Sequence, residues 1–259
     1  MGGWLKVMAL AVVQGLTEFL PVSSSGHLVI GKRLLGLDSP GVRLEVVLHL
    51  GTLVAVCAYF WRRLWSLALG ALKRERQAWV VIGLLALASI PAVVFFKLAG
   101  KPLKGVMENP VFAACGLLAT GAMLLSLRWA GEGEKNMAWW RALLMGMGQA
   151  VAILPGVSRM GTTTMLARHS GVNRREAGEF AMLMSIPVIL GAALADALGA
   201  ELGGAESAVT PAMHVVGAVV SAGVGYAAVA VFMRVLDSAW FWVFGVYCLA
   251  AGCVALAVL

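Results

Sequence analysis

Residues 4–36 read WLKVMALAVVQGLTEFLPVSSSGHLVIGKRLLG, and this stretch decides the fold class. An apolar run reaches Leu20 and stops at Pro21, which cannot continue a helix. Three serines follow, and a second helix can begin near Gly26. The first run is long enough to enter a bilayer. The second, about 23–36, is only half apolar and too short to cross one. Broken backbone at membrane depth survives only where protein or a wet cavity satisfies its polar groups. The stretch therefore predicts a re-entrant helix pair inside a membrane protein.

The rest of the chain fits that setting. It is 61% hydrophobic and 13% charged over 259 residues, where soluble domains lie nearer half and a quarter. Further apolar runs fall at about 42–61, 79–99, 111–128, 141–154, 176–198, 212–234 and 240–259. They are long and unbroken, which favours a helical bundle over a β-barrel. The reading is an all-α polytopic membrane protein with about six full transmembrane helices. A second half-apolar stretch, about 158–171, matches the first in kind.

The net charge is +7. The basic residues sit mostly in gaps between apolar runs, so they read as topology signals and contacts to anionic membrane lipids, not as a nucleic-acid surface. Arg62, Arg63, Lys73, Arg74 and Arg76 predict a cytoplasmic loop. The loop 199–211, with Glu201 and Glu206, is then external, Arg234 cytoplasmic and the C-terminus external. Lys101 and Lys104 in the stretch 100–110 run against this scheme. The stretch after Trp4 shows no cleavable signal pattern and reads as mature structure. Cys57, Cys115, Cys248 and Cys253 lie in apolar runs and read as inert buried thiols.

An internal repeat organises the chain. Gln14, Ser23 and Gly26 recur as Gln149, Ser158 and Gly161 at one offset of 135 positions (14 to 149, 23 to 158, 26 to 161). Leu20-Pro21 recurs as Leu154-Pro155 one position out of step, and Glu45 as Glu179 with a similar slip. The whole chain, 1–259, reads as one membrane domain of two inverted-topology repeats, about 1–130 and 136–259, each with a re-entrant pair.

The chemistry concentrates in the two broken stretches. Gln14 and Glu18 are four apart and share a helix face. A carboxylate within an apolar run costs a few kcal/mol or more and so faces a cavity. Ser23, Ser24 and Ser25 precede a helix start, where exposed N–H groups attract anions, and His27 follows one turn later. In the second stretch, Pro155-Gly156-Val157-Ser158-Arg159-Met160-Gly161-Thr162-Thr163-Thr164 repeats the plan and adds Arg159. A guanidinium in such a turn suits bidentate phosphate binding. Face to face, the turns suit a diphosphate, with Glu18 and Gln14 able to hold a divalent cation against its charge. His49 and Lys97, in or at the end of apolar runs, either line the cavity or pack within it.

At these residues the chain resembles the bacitracin-resistance type of undecaprenyl-diphosphatase. That family's motif Glu/Gln-Gly-x-Thr-Glu-Phe-Leu-Pro-Val-Ser-Ser-x-Gly-His is met throughout 14–27. Its second motif, Pro-Gly-x-Ser-Arg-Ser-Gly-x-Thr, is met at 155–163 except for Met160. The resemblance implies a bacterial inner-membrane enzyme that removes the terminal phosphate of undecaprenyl diphosphate, recycling the lipid carrier for cell-wall synthesis. It implies a site open to the periplasm and a magnesium or calcium requirement. It makes Glu18, Ser24, His27 and Arg159 the core of the site. Gln14, Ser23, Ser158 and Thr163 support them, with Ser25, Gly161 and Thr162 among the substrate-binding positions.

Gln14 is the amide option where many members have Glu, and Met160 replaces a hydroxyl with a thioether. Thr162 or Thr164 is expected to compensate for Met160. The nucleophile is Ser24 activated by His27, His27 itself, or a water activated by Glu18 and His27. Two rivals stand beside the phosphatase. A polyprenyl-phosphate flippase, with or without hydrolysis, shares the inverted-repeat plan. A type-2 phosphatidic acid phosphatase would need a motif before Ser25-Gly26-His27, where there is no room, and His169 lies too far past Arg159. A homodimer is compatible with the sequence.

Overall fold

The computed structural model describes residues 2–36, 41–131, 133–199, 209–238 and 240–259, with the side chains of 41–43, 100–104 and 195–199 left aside. The loop carrying Glu201 and Glu206, and the side chains of Lys101 and Lys104, therefore lie outside the described residues. Among the described residues there is no β-strand.

The helices are α1 (Gly3–Phe19), α2 (Ser24–Leu34), α3 (Gly41–Tyr59), α4 (Trp61–Leu72), α5 (Arg76–Met107), α6 (Pro110–Leu125), α7 (Trp139–Val151), α8 (Arg159–His169), α9 (Arg174–Gly199), α10 (Pro211–Val235) and α11 (Val243–Val258). Their starts follow local chemistry. Asn109 caps α6 by accepting from Val111 N at 2.9 Å, with Pro110 at the first position. Thr210 caps α10, again followed by proline. Asn173 and Glu176 cap each other reciprocally at the head of α9, through bonds of 2.8 and 3.2 Å.

Among the described residues, four helices are long and apolar enough to cross a membrane, or five if the bent pair Leu44–Tyr59 and Trp61–Leu72 counts as one span. With the shorter apolar helices α1 and α11, this makes a multi-pass membrane protein. Both half-apolar stretches form short helices, α2 and α8, each of 11 residues.

Three expectations change. The basic stretch from Arg62 is not a loop: α4 leaves α3 at 74° as a separate helix. Trp61 and Trp65 stack on its exposed side at 5.7 Å, beside Arg62 and Arg63. Alternating aromatic, Leu and Arg residues give an amphipathic helix of the kind that lies along a membrane surface. The stretch 100–110 is helical as far as Met107, where Glu108 ends α5 and Asn109 caps the start of α6. Of the four cysteines only Cys248 is buried, and Cys115 and Cys253 face outward.

Packing puts the broken stretches at the centre. α1 runs along α10 and α5 along α7, while α3 lies between α9 and α10 and α11 leans on α6. α2 fills the angle between α1 and α6, and α8 that between α7 and α9. The turns before α2 and α8 meet at glycines. Gly156 has φ +84°, and a Cβ there would lie 1.9 Å from Ala113 O. A Cβ on Gly26 would lie 2.8 Å from Gly156 Cα. Only glycine permits that backbone angle and that approach together.

Candidate active site

Glu18 is the centre of the site. It sits near the end of α1, just before Pro21 ends the run, with its side chain 3% exposed. Four groups converge on its carboxylate. Arg159 Nη2 forms an ion pair with Oε1. Ser24 donates its hydroxyl to Oε2 at 2.5 Å. Gln14 Nε2 donates to the same oxygen at 3.0 Å across one turn of α1. His49 Nε2 lies 3.5 Å from it. A buried carboxylate is tolerable only with such partners.

Each partner is held by its own helix. Ser24 is the first residue of α2, and the turn before it is strained: Ser23 has φ 68°. A non-glycine residue held there marks a backbone fixed by its surroundings. Ser23 Oγ accepts from Gly26 N at 3.3 Å, capping α2. Ser158 Oγ caps α8 in the same way, from Gly161 N at 3.0 Å. Arg159, first in α8, also reaches Ser185 O at 3.5 Å. Both turns thus present the first residue of a capped helix to one carboxylate. That helix end is the favoured place for an anion.

The structure brings Glu18, Ser24, Arg159 and Gln14 together and sets other predicted residues apart. His27 makes no hydrogen bond to Ser24. Its Nδ1 carries a proton to Ser23 O at 2.8 Å, because a carbonyl only accepts, so Nε2 takes the Tyr247 hydroxyl at 2.8 Å. Ser25 Oγ pairs with Ser23 Oγ at 3.3 Å. Thr163 bonds back to Arg159 O at 2.8 Å, and Thr162 reaches only Met123 Sδ, at 3.9 Å. Gly161 is buried, its N–H taken by the Ser158 cap. Met160 is fully buried in the main apolar core with Leu124 and Met145. Thr164, expected to help make good its missing hydroxyl, has a buried Oγ1 with no partner. Lys97 is exposed on α5.

Three residues join the site from distant sequence. His49 comes from α3, its Nδ1 donating to Glu45 O at 2.7 Å; its place in an apolar run was its only signal. Tyr247 comes from α11 and stacks on the His27 ring at 5.7 Å. Thr120 in α6 accepts from Ser158 N at 2.9 Å and donates to Gly156 O at 2.8 Å, fixing the second turn. Nothing in the local sequence marks Tyr247 or Thr120.

Comparison with known proteins gives this site a family. The family model for the bacitracin resistance protein BacA matches residues 7–254. The chain belongs to the bacitracin resistance protein BacA family. It is 36% identical to an undecaprenyl-diphosphatase of Desulfatibacillum aliphaticivorans over 278 residues, 98% of each chain. It is 37% identical to one of Alcanivorax borkumensis over 257 residues, 96% of each chain. Over 192 residues it is 41% identical to one of Rhodopirellula baltica, covering 73% of this chain and 72% of that one. The BacA match takes in both broken stretches and α11 as far as Val254, so every residue around Glu18 lies inside it.

Proposed function

We propose that this chain hydrolyses undecaprenyl diphosphate to undecaprenyl phosphate and inorganic phosphate at the bacterial inner membrane, from a site that faces the periplasm. The observation that carries this reading is the buried Glu18 carboxylate holding both the Ser24 hydroxyl and the Arg159 guanidinium. The family and the relatives' name, undecaprenyl-diphosphatase, support the substrate.

Ser24 Oγ attacks the terminal phosphorus in line while its proton passes to Glu18 Oε2. The P–O bond to the bridging oxygen breaks, and undecaprenyl phosphate leaves with the bond's electron pair. Water then cleaves the phosphoserine, and Ser24 regains a proton as phosphate departs. Arg159 moves from Glu18 to the equatorial phosphate oxygens, where the charge gathers. His27, fixed by Ser23 and Tyr247, marks the bridging-oxygen end of the diphosphate. Ser23, Ser25, Ser158, Gly161, Thr162 and Thr163 shape the two helix ends that receive the phosphates.

Glu18 and Gln14 are the residues that would hold a magnesium or calcium ion. Among the described residues no three His, Cys, Asp or Glu side chains gather into a metal site. Gln14 Oε1, however, is buried with no partner beside Glu18. One carboxylate and one amide oxygen suit a cation that arrives with the diphosphate, since Mg²⁺ is commonly held by one or two carboxylates plus substrate phosphates. When bound, it would offset the phosphate charge.

We also infer two inverted repeats and about six spans, with α3 and α11 joining the four long helices and α1–α2 and α7–α8 as the re-entrant pairs. α2 and α8 have the same length, and each follows a serine cap. The packing of α1 on α10 has its counterpart in α7 on α5. The test is phosphate release from undecaprenyl diphosphate by purified protein in detergent, with and without magnesium. Cation-dependent release is expected. Folded, lipid-binding protein that releases none would overturn the reading.

A further inference from the structure

An apolar groove of about 670 Å³ opens on the outer side of α1. Leu16, Thr17 and Leu20 form one wall, and Val243, Phe244 and Tyr247 of α11 the other. It exists because α1 packs on α10 and α11 on α6, leaving a seam between the two pairs. Val22 lines it, and Cys248 Sγ reaches Pro21 O at 3.7 Å beside it. The groove therefore ends at the Pro21–Ser24 turn, the turn that delivers Ser24 to Glu18 on the other side of α1. Tyr247 belongs to both places: its ring lines the groove and its hydroxyl bonds His27 Nε2.

We propose that this groove seats the head-proximal isoprene units of the polyprenyl diphosphate, with Tyr247 at the junction between tail and diphosphate. The inference rests on the phosphatase reading and adds where the lipid enters. A chain lying in the seam reaches the turn at Val22, and its diphosphate crosses the turn from His27 and Tyr247 towards Ser24 and Arg159. The volume suits a short length of chain, and the remainder stays in the bilayer. Bilayer lipid is as apolar as the groove, so burial alone gives no driving force. The groove acts by shape: it fixes the approach of the phosphorus and so favours a methyl-branched tail over none.

The test compares Leu20→Trp and Val243→Trp with wild type in detergent, on undecaprenyl diphosphate and on methyl diphosphate, which carries no isoprene unit. Filling the groove is expected to lower kcat/KM at least tenfold on the polyprenyl substrate and less than twofold on methyl diphosphate. Equal losses on both, or no loss on either, overturn the proposal. A second measurement does not depend on turnover. A diazirine-bearing polyprenyl diphosphate should label peptides containing Leu16–Val22 and Val243–Tyr247, and unlabelled undecaprenyl phosphate should suppress this. Labelling spread over other helices, or insensitive to the competitor, overturns it, because the groove then holds bulk lipid only. If wild type hydrolyses neither substrate, the phosphatase reading fails, and the labelling pattern still decides the groove.

Discussion

The two broken stretches share a scaffold and divide the chemistry. In each, a glutamine lies in the helix before the break, and a serine caps an 11-residue helix after it. At the offset of 135, Ser24 corresponds to Arg159 and Glu18 to Ile153. The first stretch thus supplies the carboxylate and the hydroxyl, and the second the guanidinium. The glutamines show what this costs. Gln14 donates to Glu18, whereas Gln149, facing no equivalent acid, is 2% exposed with neither amide atom partnered. A duplicated frame can hold an asymmetric site because capping and glycine contacts set the backbone, leaving the first residue of each helix free to differ.

Breaking the cross-stretch pair should have the largest effect. Glu18→Ala or Arg159→Ala leaves a buried charge unpaired, at about 3–5 kcal/mol, and is expected to lower phosphate release at least a hundredfold. A folded variant keeping a tenth of the activity would remove that residue from the site. Ser24→Ala tests the hydroxyl that Arg159 replaces. It should abolish turnover together with any acid-trapped phosphoserine; residual steady turnover would make water the nucleophile. Gly156→Ala probes the shared scaffold. Its positive φ and the close Ala113 carbonyl predict a loss of about 2 kcal/mol or more, read as a lower Tm in detergent. The glutamines give the smallest effects and the sharpest contrast. Gln14→Leu should cost about tenfold in activity, by freeing Glu18 from one donor. Gln149→Leu removes two unpaired polar atoms and should leave Tm equal or higher with activity within twofold. Lost activity there would mean that the Gln149 amide meets substrate.

Much of this was legible in the chain. Pro21 and Pro155 stop apolar runs and serines restart them, so α2 and α8 lie within a residue or two of their expected places. Glu18 and Arg159 stood out because charge inside apolar sequence is costly. Ser23 and Ser158 were legible as polar but not as caps, since a hydroxyl that receives phosphate and one that ends a helix look alike in sequence. Activation of Ser24 by His27 is one of three schemes open in the sequence, and the helical turn instead points His27 at Tyr247. α4 was hidden because basic residues between apolar runs fit a loop and a surface helix equally well.

The sequence by itself determined that the chain enters a membrane, where it breaks, and which charged groups need partners there, because hydropathy, proline and burial cost act locally. Only the tertiary structure decided which partners meet. Glu18 and Arg159 lie 141 positions apart, and His27 and Tyr247 lie 220 apart. Such pairings are set by helices packing at small residues, a property of two surfaces that neither stretch carries alone.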